Sequence, residues 1–173
     1  MSAHSKRTGP RGDLHGRDSA LNDYNPFYAE GISAFHRHES RLEEAPAFPR
    51  IVTLPLLSGF IRPCNREQVK SRLTKMPPEH LAGLRGVFLL GGRRKQERSW
   101  YSNLACYGFY WNDCVFLCAH PFNLGGHNLD SIRDYYLNDV LVHEVGHHVD
   151  RERDAPERKK ENFANGFAER RGN

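Results

Sequence analysis

Two of the ten histidines in this 173-residue chain stand four residues apart around a glutamate, in His143-Glu144-Val145-Gly146-His147. Residues four apart in a helix differ by about 40° around its axis, so both imidazoles leave one face and can close on a single ion. Glu144 stands beside the first imidazole, where a carboxylate can serve as general base toward a water activated at that ion. The chemistry expected of this HExxH pattern is metal-assisted hydrolysis, with His143 and His147 as ligands.

Such a site needs a helix beneath it. The run Asp130-Ser131-Ile132-Arg133-Asp134-Tyr135-Tyr136-Leu137-Asn138-Asp139-Val140-Leu141-Val142 leads straight into the motif. Ile132, Tyr136, Val140 and Leu137 recur at helical spacing and form the expected buried stripe. Asp130 is read as the N-cap, and the helix is expected to end near Asp150. Gly146 costs a helix about 1 kcal/mol relative to alanine, a cost that close passage of another segment would explain.

Two histidines do not complete a zinc site, which takes three protein ligands and keeps a fourth position for water. A glycine at 150 and a histidine at 153 would continue the motif in one known way; the chain has Asp150 and Arg153 instead. Downstream, Phe163, Ala164, Phe167 and Ala168 form the apolar face of a short helix with Pro156 at or before its first turn. Glu161 and Asn165, four apart, project together from it. Glu161 is the expected third ligand, and Asn165 is placed to hold a ligand histidine by its other ring nitrogen. Asp154, Glu157 and Glu169 are the substitutes if Glu161 is only a solvated carboxylate.

HExxH followed by Glu161-Asn162-Phe163-Ala164-Asn165-Gly166-Phe167-Ala168 resembles the ImmA/IrrE-type zinc metallopeptidases, glutamate-ligand zincins. The resemblance covers residues 100–171. It implies a zinc ion on His143, His147 and Glu161 with Glu144 as base, and a specific protein or peptide substrate such as a transcriptional regulator. The gap from His147 to Glu161 is short for that family, and no N-terminal helix-turn-helix is evident.

Around these elements the chain reads as α+β: a minimal zincin-like metallopeptidase domain over residues 46–173. It comprises a small mixed sheet, an active-site helix and a C-terminal ligand helix. Strands are expected at Ile51–Leu54 and Val87–Leu90. A hairpin, Ala105–Trp111 with Cys114–Ala119, turns at Asn112-Asp113. One hairpin strand is expected at the sheet edge above the metal, with His127, Tyr107 or Tyr110 near the reacting carbonyl. Asn65 and Gln68 read as a capping box opening a helix to Lys75. Residues 1–45 read as a disordered or loosely ordered extension, with one helix around Tyr28–Arg41.

Net charge is +4, sequence pI about 9.0, and mean hydropathy −0.71. The basic N-terminal arm (Lys6, Arg7, Arg11, Arg17) and the loop Arg93-Arg94-Lys95 with Arg98, Trp100 and Tyr101 keep a second reading open. That reading is a zincin-like regulatory or nucleic-acid-binding module without proteolysis. No secretory leader or membrane span is read, so a cytoplasmic protein is expected. Cys64, Cys106, Cys114 and Cys118 match no disulfide framework and read as buried thiols.

Overall fold

Gly86–Leu89 and Cys114–Leu117 carry no charged side chain and are buried at every position. Strands buried on both faces belong in the middle of a sheet covered on both sides. The computed structural model, which describes residues 26–92, 107–122 and 126–171, places them there. In chain order the elements are α1 (Pro26–His38), β1 (Arg50–Thr53), β2 (Phe60–Ile61), α2 (Arg66–Thr74) and α3 (Pro78–Leu81). These are followed by β3 (Gly86–Leu89), β4 (Gly108–Trp111), β5 (Cys114–Leu117) and β6 (His120–Pro121). Last come α4 (Leu129–Tyr135), a π-helical turn over Tyr136–Val140, α5 (Leu141–Val149) and α6 (Glu157–Arg171).

The main sheet runs β1-β3-β5-β4. β1 and β3 are parallel with Ile51 opposite Val87, and β3 and β5 are parallel with Phe88 opposite Phe116. β4 is antiparallel to β5 and forms the sheet edge, with Phe109 opposite Phe116. Asn112 and Asp113 both have positive φ, 49° and 56°, as a two-residue type I′ hairpin turn requires. A second small pair joins β2 and β6.

Alternation along the strands divides the core in two. Phe88, Phe109 and Phe116 face α1, where Tyr28, Ile32 and Phe35 cover them. Phe116 stacks between the other two rings, at centroid distances of 4.9 Å from Phe88 and 4.5 Å from Phe109. Val87, Leu89, Val115 and Leu117 face the opposite way, onto Val69 and Leu73 of α2 and Leu141 and Val145 of α5. α1, which lies within the segment read from the sequence as an extension, is therefore one of the two layers that bury the sheet. An isolated amphipathic helix in a polar stretch does not reveal by sequence what it covers.

Asn65 closes the expected capping box, its side chain accepting from Gln68 N and its own N–H donating to Gln68 Oε1, both at 2.9 Å. The cap of α4 is Asn128 rather than Asp130: Asn128 Oδ1 accepts from Ser131 N at 2.7 Å. Asp130, one position into the first turn, pairs with Arg133 Nη1 at 2.7 Å. Both residues suit a positive helix end, and only the backbone start distinguishes them. Ile132, Tyr136 and Val140 are buried as expected. Residues 93–106, with the basic loop and Cys106, and the arm before residue 26 lie outside the described residues. Among those described, no helix is long and apolar enough to cross a membrane.

α5 and α6 pack face to face, and Gly146 is where they meet. A Cβ there would lie 3.0 Å from Ala164 Cα and 3.3 Å from Phe167 Cβ. The first contact is with backbone, which cannot rotate away. Gly146→Ala is expected to lower stability by about 1–3 kcal/mol, despite the gain in helix propensity of about 1 kcal/mol. Denaturant unfolding measures the change, and a more stable variant would show that the helices do not meet this closely.

Candidate metal centre

The pairing of α5 and α6 brings three potential ligands together. His143 Nε2 and His147 Nε2 lie 3.1 Å apart. Glu161 places Oε2 3.4 Å from His143 Nε2 and Oε1 3.4 Å from His147 Nε2. A tetrahedral zinc with ligands at about 2.0–2.1 Å keeps its donor atoms about 3.3–3.4 Å apart. The two imidazole nitrogens, and each of them with its nearer Glu161 oxygen, thus already stand close to the spacing such an ion needs. At this distance the two imidazoles can share one N–H···N bond, whereas a cation between them takes a lone pair from each.

Glu144 stands beside this triangle. His143, Glu144 and His147 each offer an atom within 4.8 Å of the others. Glu144 is 3% exposed, and its Oε2 has no hydrogen-bond partner among the described residues. A buried carboxylate oxygen is costly without a donor or a cation. An ion and a polar substrate in the cleft would meet that need, so the donor set fits a metal with a base beside it. Glu161 completes the triangle better than Glu144 does, because its two oxygens address one histidine each.

β4 forms the wall over Glu144. A Cβ on Gly108 would lie 2.7 Å from Val140 Cγ1, 3.0 Å from Phe116 O and 3.4 Å from Glu144 Cγ. Only glycine lets the edge strand pass this close, and the sequence reading had given Gly108 no role. The cleft between strand and helices has a volume of about 450 Å³ and is lined by Tyr107, Gly108, Asp139, His143, Glu144 and Glu161, among others. Tyr107 reaches it. Tyr110 and His127 are not among its lining residues.

Tyr110 serves the scaffold instead. Its hydroxyl donates to Asp113 Oδ1 at 2.7 Å and lies 3.2 Å from His148 Nδ1. His148, fully buried, donates from Nε2 to the Ala82 carbonyl at 2.9 Å. Burial is the main force holding its imidazole below the ordinary histidine pKa, with Arg151 acting the same way. This neutral imidazole ties α5 to the segment after α3 and to the hairpin, fixing one side of the helix that carries the motif.

The link from α5 to α6 is equally constrained. Arg153 Nη2 donates to Asp150 Oδ2 at 2.7 Å, and the guanidinium lies over the Phe163 ring, 5.3 Å from its centroid. Asp150 is thereby engaged by Arg153. Asp154 and Glu157 are exposed and do not line the cleft, whereas Glu169 does. Asn165 also lines the cleft.

The described cysteines do not form a second centre. Cys64, Cys114 and Cys118 are free and buried. Burial pushes the Cys64 and Cys114 thiols up to about 12.

Comparisons with protein-family models, curated proteins and solved structures found no match to this chain. Its functional reading therefore stands on the residues and their geometry.

If the triangle holds an ion, His143→Ala, His147→Ala and Glu161→Gln should each abolish stoichiometric zinc uptake, while Asp154→Asn and Glu157→Gln should leave it intact. Equilibrium dialysis with metal analysis tests this. Full zinc retention by Glu161→Gln would remove that residue from the ligand set.

Proposed function

We propose that the chain is a zinc-dependent peptidase, with His143, His147 and Glu161 as metal ligands and Glu144 as general base. The observation that carries this reading is the pair of imidazole nitrogens 3.1 Å apart, each 3.4 Å from one oxygen of Glu161, beside a buried carboxylate whose Oε2 has no hydrogen-bond partner among the described residues. A closed structural zinc site has no use for such a base and commonly recruits cysteines. The resemblance to ImmA/IrrE-type metallopeptidases supports the same assignment.

Zinc in this position supplies a Lewis acid that polarises a carbonyl and acidifies water. Glu144 accepts the proton of the attacking water and passes it to the departing amine. The edge position of β4 suits an extended peptide, which can lie along the strand by main-chain hydrogen bonding. The substrate class is accordingly protein or peptide, in keeping with a zincin-like fold and with a regulatory protein as target.

Glu144→Gln preserves the shape of the site and removes the base. It is expected to keep one zinc per chain and to lower peptide hydrolysis by about 10²–10⁴-fold. Metal analysis and cleavage of a randomised peptide pool, followed by mass spectrometry, measure both. Hydrolysis at the wild-type rate in the variant, or none by zinc-loaded wild type, would overturn the assignment.

A further inference from the structure

The C-terminal ends of α2 and α6 border a cavity of about 380 Å³, lined by Arg72, Lys75, Asn138, Arg170 and Arg171, among others. No described aspartate or glutamate lines it, and it shares no lining residue with the metal cleft. Arg72 and Arg171 stand 99 positions apart, so no single basic run in the sequence announces the cluster.

A cation in the last turn of a helix is ordinarily explained by the helix dipole. Two helix ends bring about half a negative charge each, against four cationic side chains, which leaves about three positive charges uncompensated. Carboxylates do not make up the difference. Among the described residues, none of Arg72, Lys75, Arg170 and Arg171 forms an ion pair.

Arg72 separates this cluster from ordinary charged surface. Lys75, Arg170 and Arg171 are exposed, whereas Arg72 is half-buried. Its Nε donates to Asn138 Oδ1 at 3.0 Å and its Nη2 to the Arg171 carbonyl. Both acceptors are neutral, so they fix the guanidinium without neutralising it. Burial alone holds Arg72 below the ordinary arginine pKa, with no carboxylate acting the other way. A partly desolvated cation is costly unless an anion shares its surroundings. The field of Arg171 reaches His80 as well: burial and then Arg171 hold that imidazole below its ordinary pKa, and Glu79 offsets them only in part.

A planar guanidinium fixed in place presents its donors in a fork that matches phosphate oxygens, and a neighbouring lysine adds a compact point charge. About three unpaired charges suit two linked phosphate groups better than one, and the volume falls within the range of small-molecule sites. We propose that this cavity binds a small anion carrying two linked phosphate groups, either free or as the diphosphate of a nucleotide. Asn138 belongs to the π-helical turn before the motif helix, and Arg171 ends the helix that carries Glu161. Occupancy therefore braces three elements around the metal centre without entering it. The binding claim stands independently of the peptidase reading.

Isothermal titration calorimetry of the full chain with inorganic pyrophosphate, ADP, inorganic phosphate and adenosine tests the site. Pyrophosphate and ADP should each bind about tenfold or more tightly than phosphate. Adenosine should not bind, and added salt should weaken the binding of the anions. Equal affinity for pyrophosphate and ADP identifies the diphosphate alone as the ligand, and tighter ADP identifies the nucleotide. Arg72→Gln should weaken pyrophosphate binding about tenfold. Because Arg72 also ties α2 to α6, the exposed pair Lys75→Gln with Arg170→Gln gives a second measure and should weaken it by a similar factor. Lys159→Gln with Lys160→Gln, the same loss of charge at the other end of α6, should change nothing. His143→Ala should also leave the affinity as it is, since the anion does not sit on the metal. No pyrophosphate binding up to about 1 mM, equal affinity for phosphate and pyrophosphate, equal losses in the two double variants, or loss in His143→Ala overturns the site.

Discussion

The close crossing of α5 and α6 at Gly146 is the constraint on which the rest of the site depends. His143 and His147 belong to one helix and Glu161 to the other, so their convergence is set by how nearly the two backbones approach. Gly146 against Ala164 permits that approach. The Asp150–Arg153 pair, with its guanidinium over Phe163, limits how the second helix can shift along the first. A larger side chain at the crossing would spread the donor triangle before touching any donor. Packing here sets the chemistry, since a metal site tolerates only small errors in ligand position.

The sheet contributes from the other side. Its two central strands are buried on both faces, so it can be rigid only if both faces are covered, and α1 supplies one of those covers. With the sheet fixed, its edge strand β4 lies directly over Glu144, close enough that only glycine fits at position 108. His148 and Tyr110 add a polar tie between the hairpin and α5 inside an otherwise apolar region. Glu144 is thus held between a helix fixed by its neighbours and a strand fixed by its sheet. This arrangement lets a carboxylate remain buried and directed at one point.

The chemistry was more legible in the sequence than the architecture around it. Four-residue spacing on a helix predicts the convergence of His143 with His147. The apolar face of Phe163, Ala164, Phe167 and Ala168 turns Glu161 in the right direction. The hairpin and the capping box of α2 were legible because turn and cap chemistry is local. The role of α1 was not, because which surface a short amphipathic helix covers depends on contacts distant in sequence. Tyr135 and Asp139 stand on the same four-residue ladder as the motif histidines, a signal present in the sequence. Gly108 carried no such signal, since its role arises only when strand and helix meet.

The central claim is that two imidazoles and the Glu161 carboxylate share one zinc. X-ray absorption at the zinc edge of protein carrying one equivalent of metal tests it most directly. The account predicts two imidazole nitrogens and a mixed oxygen shell at about 2.0–2.2 Å with no sulfur. In Glu161→Gln the oxygen shell should diminish or the metal should be lost. Sulfur in the coordination shell, or an unchanged spectrum in that variant, would contradict it.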